Sequence, residues 1–182
     1  MELEFSDNEI VIDKELSNLD KFVKKFVEVL DKNGIKYVIV SGYVAIFFGR
    51  SRHTEDVDLF IEKIDFEKFK QLWKDLSKEF ECLNTDDVND AYNNYLNENT
   101  ALRFAKEGTF IPNIEVKFPK IKLDKQILNS QILVKCREMI LYFPILESQI
   151  AFKLYLGSDK DLEDAEHLWT IFKENFAKLV NS

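Results

Sequence analysis

Apolar and polar positions alternate along the chain in two distinct rhythms. From Ser17 to Asn33, Leu19, Phe22, Val23, Phe26, Val27 and Leu30 fall on one face at helical spacing. Ser17 serves as N-cap with Asp20 three residues on, and Gly34 is the stop signal. Ile35–Val40 is short, β-branched and aromatic, and predicts a buried strand that Ser41-Gly42 breaks. Tyr43–Gly49 predicts a short apolar helix, and Asp56–Ile61 a second strand. Asp65 caps a helix reaching about Phe80, with Phe66, Phe69, Leu72, Trp73, Leu76 and Phe80 inward. Ahead of all these, Glu9–Asp13 predicts a short extended piece.

The second half begins with an Asn- and Asp-rich stretch, Asn84–Thr100, which fits either a polar surface helix or a mobile loop. Ala101–Lys106 and Thr109–Phe118 predict a strand pair turning at Glu107-Gly108, and Ile132–Arg137 a further strand. After Pro144 the rhythm is helical: Ile145–Leu156, then Leu162–Val180 with Leu162, Ala165, Leu168, Trp169, Phe172 and Phe176 on one stripe. The expected fold is α/β (α+β): a small mixed sheet with flanking helices over residues 1–140, and a C-terminal helical portion over 141–182 packed on it as one compact unit.

Composition narrows the function classes. Of 182 residues, 46 % are hydrophobic and 32 % charged, which excludes a disordered acidic chain. The longest apolar runs, such as Tyr37–Val40 and Val44–Phe48, fall far short of the ~20 residues that cross a bilayer. The acidic start lacks the basic and apolar regions of a signal peptide, so no membrane partner is expected and a cytoplasmic location is. Cys82 and Cys136 form no disulfide framework and no metal-spaced cluster. With 25 basic against 33 acidic residues the net charge is −8, which argues against passive, charge-driven binding to nucleic acid. A nucleotide site remains open, because bound cations reverse a local field.

Candidate chemistry concentrates between Val40 and Phe60. Asp56 and Asp58 stand two apart on a strand, so their carboxylates share a side while Val57, Leu59 and Ile61 face a packed layer. Paired carboxylates repel unless a positive charge sits between them, and magnesium is a common solution. Glu115 faces opposite to Ile114 and Val116, and completes a carboxylate trio if its strand lies beside Asp56–Ile61. Such a trio suits two-metal phosphoryl or nucleotidyl transfer. Ser41-Gly42 lies at a strand-to-helix turn where a phosphate approaches the backbone, and Arg50 and Arg52 supply planar cationic forks.

The run Ser41-Gly42, followed by Gly49-Arg50-Ser51-Arg52-His53-Thr54-Glu55-Asp56-Val57-Asp58, resembles the signature of the polymerase-beta-like nucleotidyltransferase superfamily. Within it, the chain is similar to the minimal branch that includes abortive-infection type toxins. Ser41 stands where that pattern has its first glycine, and Glu115 where it has a third Asp. Leu146–Lys153 and Lys160-Asp161-Leu162-Glu163-Asp164-Ala165 resemble the helical motifs of the same branch. The resemblance implies transfer of a nucleoside monophosphate from a nucleoside triphosphate, ATP included, to an acceptor hydroxyl. It implies Mg2+ or Mn2+ on Asp56, Asp58 and Glu115, the three catalytic acids. It implies nucleotide contacts from Ser41, Gly42, Arg52, Thr54, Lys153 and Asp161. The implied acceptors are RNA (tRNA among them), protein or a small molecule, and an antitoxin-like protein partner accompanies the toxin branch.

Several of these residues also have plainer roles. The departures at Ser41 and Glu115 equally suit a catalytically degenerate protein that binds a nucleotide or a partner without turnover. Glu115 has Lys117 as an available partner, Lys153 suits an amphipathic helix, Asp161 a helix start, and Asp164 a pair with Lys160. Lys117, Lys120, Lys122 and Lys125 are read first as a charged sheet edge that discourages aggregation, and second as a steering surface for an anionic acceptor.

Overall fold

The computed structural model describes residues 2–6 and 8–180, with side chains as far as Asn175. Phe176 of the expected C-terminal stripe therefore lies outside the described side chains.

The first helix, α1 (Asn18–Lys32), follows β1 (Glu2–Ser6) and β2 (Glu9–Asp13). Its start is a reciprocal cap: Asp20 N–H donates to Ser17 Oγ at 3.0 Å, and Ser17 N–H donates to Asp20 Oδ2 at 2.9 Å. Asp20 is buried, which by itself raises its carboxyl. Lys14 at 2.8 Å and the Tyr43 hydroxyl at 2.7 Å, with the Ser17 backbone, outweigh burial and hold it below the usual carboxylate range. The cap thus also ties α1 to the next helix.

β3 (Tyr37–Val40), α2 (Gly42–Phe47) and β4 (Asp56–Ile61) form next, then α3 (Phe66–Leu76) and β5 (Phe80–Cys82). Phe80 belongs to a strand rather than to the end of the preceding helix. The helix stops at Ser77, and Phe80 then packs edge-on against Phe26 with ring centroids 5.2 Å apart. β6 (Leu102–Lys106) and β7 (Asn113–Lys117) complete a 5-stranded sheet in the order β3-β4-β7-β6-β5. β4 and β7 are parallel, and the other neighbours antiparallel. Phe26 of α1 and Trp73 of α3 both pack on Phe104 of β6, so these helices cover one face of this sheet.

α5 (Lys122–Asn129) leads to β8 (Gln131–Cys136) and β9 (Met139–Pro144), with α4 (Val88–Asp90) lying earlier, after β5. β1-β2-β8-β9 make a second, 4-stranded sheet. The closing pair is α6 (Leu146–Leu156) and α7 (Asp159–Val180). Phe47, Phe48, Phe143 and Phe172 interlock edge-on, joining α2, β9 and α7 at centroid distances of 4.9 to 5.7 Å. β9 itself spans the expected 140/141 division. No described helix is long and apolar enough to cross a membrane.

The polar stretch Asn84–Thr100 is helical over residues 88–96, with bends before it and a turn after it. After α4 the chain winds as a π-helix over Ala91–Leu96, with Asn97 N–H reaching Tyr92 O at 3.0 Å. Ala91 and Leu96 are buried, the Tyr92 ring packs on Phe66 and Phe69, and its hydroxyl donates to Ile64 O at 2.8 Å. The few apolar residues of the segment all face inward, which its polar composition conceals. The sheet-edge reading of Lys117 is overturned, since β7 has β4 on one side and β6 on the other.

Candidate active site

Asp56, Asp58 and Phe60 share one face of β4, while Val57, Leu59 and Ile61 are buried on the other. The parallel register sets Asp58 beside Glu115 and Asp56 beside Asn113. The antiparallel register of β6 sets Arg103 beside Glu115. The expected trio is therefore laid across two neighbouring strands, on the face away from α1 and α3.

Electrostatics of the row are uneven. Arg103 Nη2 lies 2.9 Å from Glu115 Oε1. Lys117 Nζ bridges, 3.5 Å from Asp58 Oδ1 and 3.6 Å from Glu115 Oε2. Burial, then a shared hydrogen bond with Glu115, pushes the Asp58 carboxyl up to about 6 despite Lys117. Asp56 is exposed and has no cationic partner among the described residues. Thr54 Oγ1 donates to Asp56 O at 2.9 Å and fixes the approach to the strand.

At the end of β3 beside Asp58, Ser41 adopts φ 68° and ψ −143°, a region glycine enters freely and other residues rarely. Its carbonyl accepts from Gln149 Nε2 of α6 at 3.0 Å, which holds the turn. Next to it Gly42 is overlaid by Arg52: a Cβ there would stand 1.8 Å from Arg52 Nη2. The missing side chain thus makes room for a guanidinium. Arg52 is held from behind by Asp164, with Nε 3.4 Å from Oδ1. Its Nε is buried and makes no hydrogen bond.

Asp164 is fully buried and gathers three cations: Arg50, Arg52, and Lys153 at 3.0 Å. The Lys160 carbonyl, not its ammonium, joins this cluster by accepting from Arg50 at 2.9 Å. Lys153 is 3 % exposed and also pairs with Asp161 at 2.7 Å. Burial alone would raise Asp161, but Lys153 and Ser158 hold its carboxyl below the usual range. Lys153 and Asp161 therefore bind each other behind the site and line neither of its hollows.

Two hollows meet at Ser41 and Asp58, which line both. One, of about 340 Å³, is polar, with Gly42, Arg52, Thr54, Asp56 and Lys160 on its walls. The other, of about 200 Å³, is mostly apolar, with Phe60, Ile127 and Phe152 opposite Lys117. Among the described residues, no three acidic, His or Cys side chains gather around one point as in a preassembled metal centre. The donor chemistry still fits a hard cation at Asp56 and Asp58. Asp56 lacks a counter-charge, and Asp58 stands on the same face of the strand two residues on, so both offer hard oxygen ligands to one hollow. Glu115 already has Arg103 and Lys117, so it stands one layer further in.

A family model described as "Nucleotidyl transferase of unknown function (DUF2204)" matches residues 19–91. That span holds Ser41, Gly42, Arg52, Thr54, Asp56 and Asp58 but stops short of Glu115. Among solved structures, the chain is similar to an antigenic nucleotidyltransferase-like protein from Paracoccidioides brasiliensis. The TM-score is 0.56 at 19 % identity, covering 86 % of this chain and 78 % of that one. The fold is nucleotidyltransferase-like. No curated protein matches. Neither finding points to the abortive-infection branch.

Within this nucleotidyltransferase-like frame, sequence reading alone missed Arg103, Gln149 and the bridging place of Lys117. Arg103 becomes a neighbour of Glu115 only through strand register, and Gln149 reaches Ser41 across 108 positions of sequence. Neither leaves a local pattern.

Proposed function

We propose that this protein transfers a nucleoside monophosphate from a nucleoside triphosphate to an acceptor hydroxyl. The observation that carries the reading is the pairing of Asp58 with Glu115 across β4 and β7, two residues along from Asp56, at the mouth of a polar hollow floored by Ser41-Gly42 and Arg52.

Each part has a chemical use. Arg52, pinned by Asp164 over Gly42, and Lys160 offer positive charge to the triphosphate. The apolar hollow beside Phe60 and Phe152 suits the nucleoside or an apolar part of the acceptor. A carboxylate of the Asp58–Glu115 pair takes the acceptor's hydroxyl proton. The freed oxygen bonds to the α-phosphorus, the α–β phosphate bond breaks, and pyrophosphate leaves. Asp56 and Asp58 would hold a divalent cation, Mg2+ or Mn2+, which when bound neutralises phosphate charge.

The test is calorimetric titration of the four nucleoside triphosphates with Mg2+ or Mn2+, then incubation with α-labelled nucleotide and candidate acceptors. Binding in the low- to mid-micromolar range, and label transfer lost in Asp56→Asn and Asp58→Asn, are expected. Failure of all four nucleotides to bind refutes the reading. A second reading, a nucleotide binder without turnover, draws on Arg103 and Lys117 already neutralising Glu115. It predicts binding with no pyrophosphate release.

A further inference from the structure

Residues 116–129 hold four lysines and one acid, Asp124, in a chain whose net charge is −8. The structure separates these charges. Lys117 turns into the site, between Asp58 and Glu115. Asp124 is spent on the backbone, accepting from Lys120 N–H at 2.9 Å and Ile121 N–H at 3.1 Å where α5 begins. Lys120, Lys122 and Lys125 are exposed, and none pairs with a carboxylate among the described residues. Ile121 and Leu123 stand exposed between them, at 54 % and 41 %. The outward face of α5 continues with Gln126 and Asn129 and carries no acid, while Lys36 reaches Asn129 Oδ1 at 3.0 Å. On the inward face, Asp124 and Ile127 line the apolar hollow that Asp58 and Lys117 also line.

We propose that this ridge docks a single-stranded polynucleotide, with phosphates on Lys120, Lys122 and Lys125 and bases against Ile121 and Leu123. Exposed lysines track a phosphate backbone, and the aliphatic faces of Ile121 and Leu123 give unstacked bases a dry surface in place of the aromatic platforms such proteins commonly use. The ridge ends at a hollow of about 200 Å³ beside Asp58, so a docked strand delivers one end to the acids. An acidic peptide would use the lysines but has no need of Ile121 and Leu123. A bilayer would need a broader apolar face than two side chains. The overall negative charge confines the attraction to the ridge and makes it short-ranged. That the docked strand is the acceptor rests on the nucleotidyl-transfer reading; the docking does not.

Anisotropy of a fluorescein-labelled single-stranded RNA of about twelve nucleotides, titrated with the full chain from about 25 to about 200 mM KCl, tests this. The unmodified protein binds, and affinity falls with salt. In the K120Q/K122Q/K125Q variant the slope of log affinity against log salt is shallower by roughly 2, at about 0.7 per lost phosphate contact. Its thermal midpoint and nucleoside triphosphate affinity stay unchanged. A control, K63Q/K68Q/K74Q, removes the same charge from the α3 side and leaves the slope intact. Absence of binding at the lowest salt overturns the proposal, as does equal loss in both variants. Tighter binding to phosphatidylserine vesicles or to polyglutamate than to RNA overturns it as well. RNA binding without nucleotide binding would instead leave the ridge standing and remove the transfer reading.

Discussion

Asp58→Asn separates the cost of the acid row from its use. The amide keeps the shape and still donates toward Glu115, but removes a charge that the fold opposes. The Asp58 carboxyl lies at about 6, against an ordinary 3.8, so its ionisation is harder in the folded chain. At about 1.36 kcal/mol per unit, that difference corresponds to about 3 kcal/mol of destabilisation at neutral pH. The side chain is 23 % exposed, and water screens part of the penalty, so a gain of about 1–3 kcal/mol is expected on substitution. For a chain of this length, that is a rise of roughly 3–10 °C in thermal midpoint. The sign is fixed by linkage. A carboxyl raised in the folded state binds its proton more tightly there, so stability falls as pH rises through the interval from 3.8 to about 6. The advantage of the variant is therefore absent below that interval and complete above it. Thermal denaturation of both proteins in metal-free buffer, at several pH values across that interval and above it, measures this. A variant less stable at neutral pH, or an advantage independent of pH, refutes the account. So does a stabilised variant that still transfers label at the full rate.

Three further substitutions probe the supports of the site by thermal denaturation and nucleotide titration. Ser41→Gly relieves a residue at φ 68° and is expected to stabilise the protein by about 1 kcal/mol, provided the Gln149 contact survives. Gly42→Ala drives a Cβ to 1.8 Å from Arg52 Nη2, so the guanidinium must move. The thermal midpoint should change little, while triphosphate affinity falls roughly tenfold, about the worth of one charged hydrogen bond. Asp164→Ala leaves Arg50, Arg52 and Lys153 around an unfilled, fully buried position and should cost about 3–5 kcal/mol. An Asp164→Ala protein as stable as the parent would show that the cluster is not what fastens α7 to the loop before β4.

What could be seen in the sequence was set by distance along the chain. The capped start of α1, the strand Asp56–Ile61 and the shared side of Asp56 and Asp58 follow from neighbours a few residues apart. The expectation that Glu115 stands near them needed one further assumption, that two strands adjoin, and the observed register supplies that neighbour relation. Lys117 shows the opposite case. Its run of lysines fits an edge strand equally well, and only the strand order puts it inside the sheet, bridging two acids. The same run then divides by geometry into one lysine that belongs to the site and three that face solvent. Lys153 and Asp161 make the point for helices. A resemblance assigned them to the nucleotide, whereas the turn between α6 and α7 pairs them with each other, and Lys153 with Asp164 as well. Their effect on the hollow is exerted through Asp164, which holds Arg52 over Gly42, so changes at Lys153 should act by releasing Arg52 rather than by removing a phosphate contact.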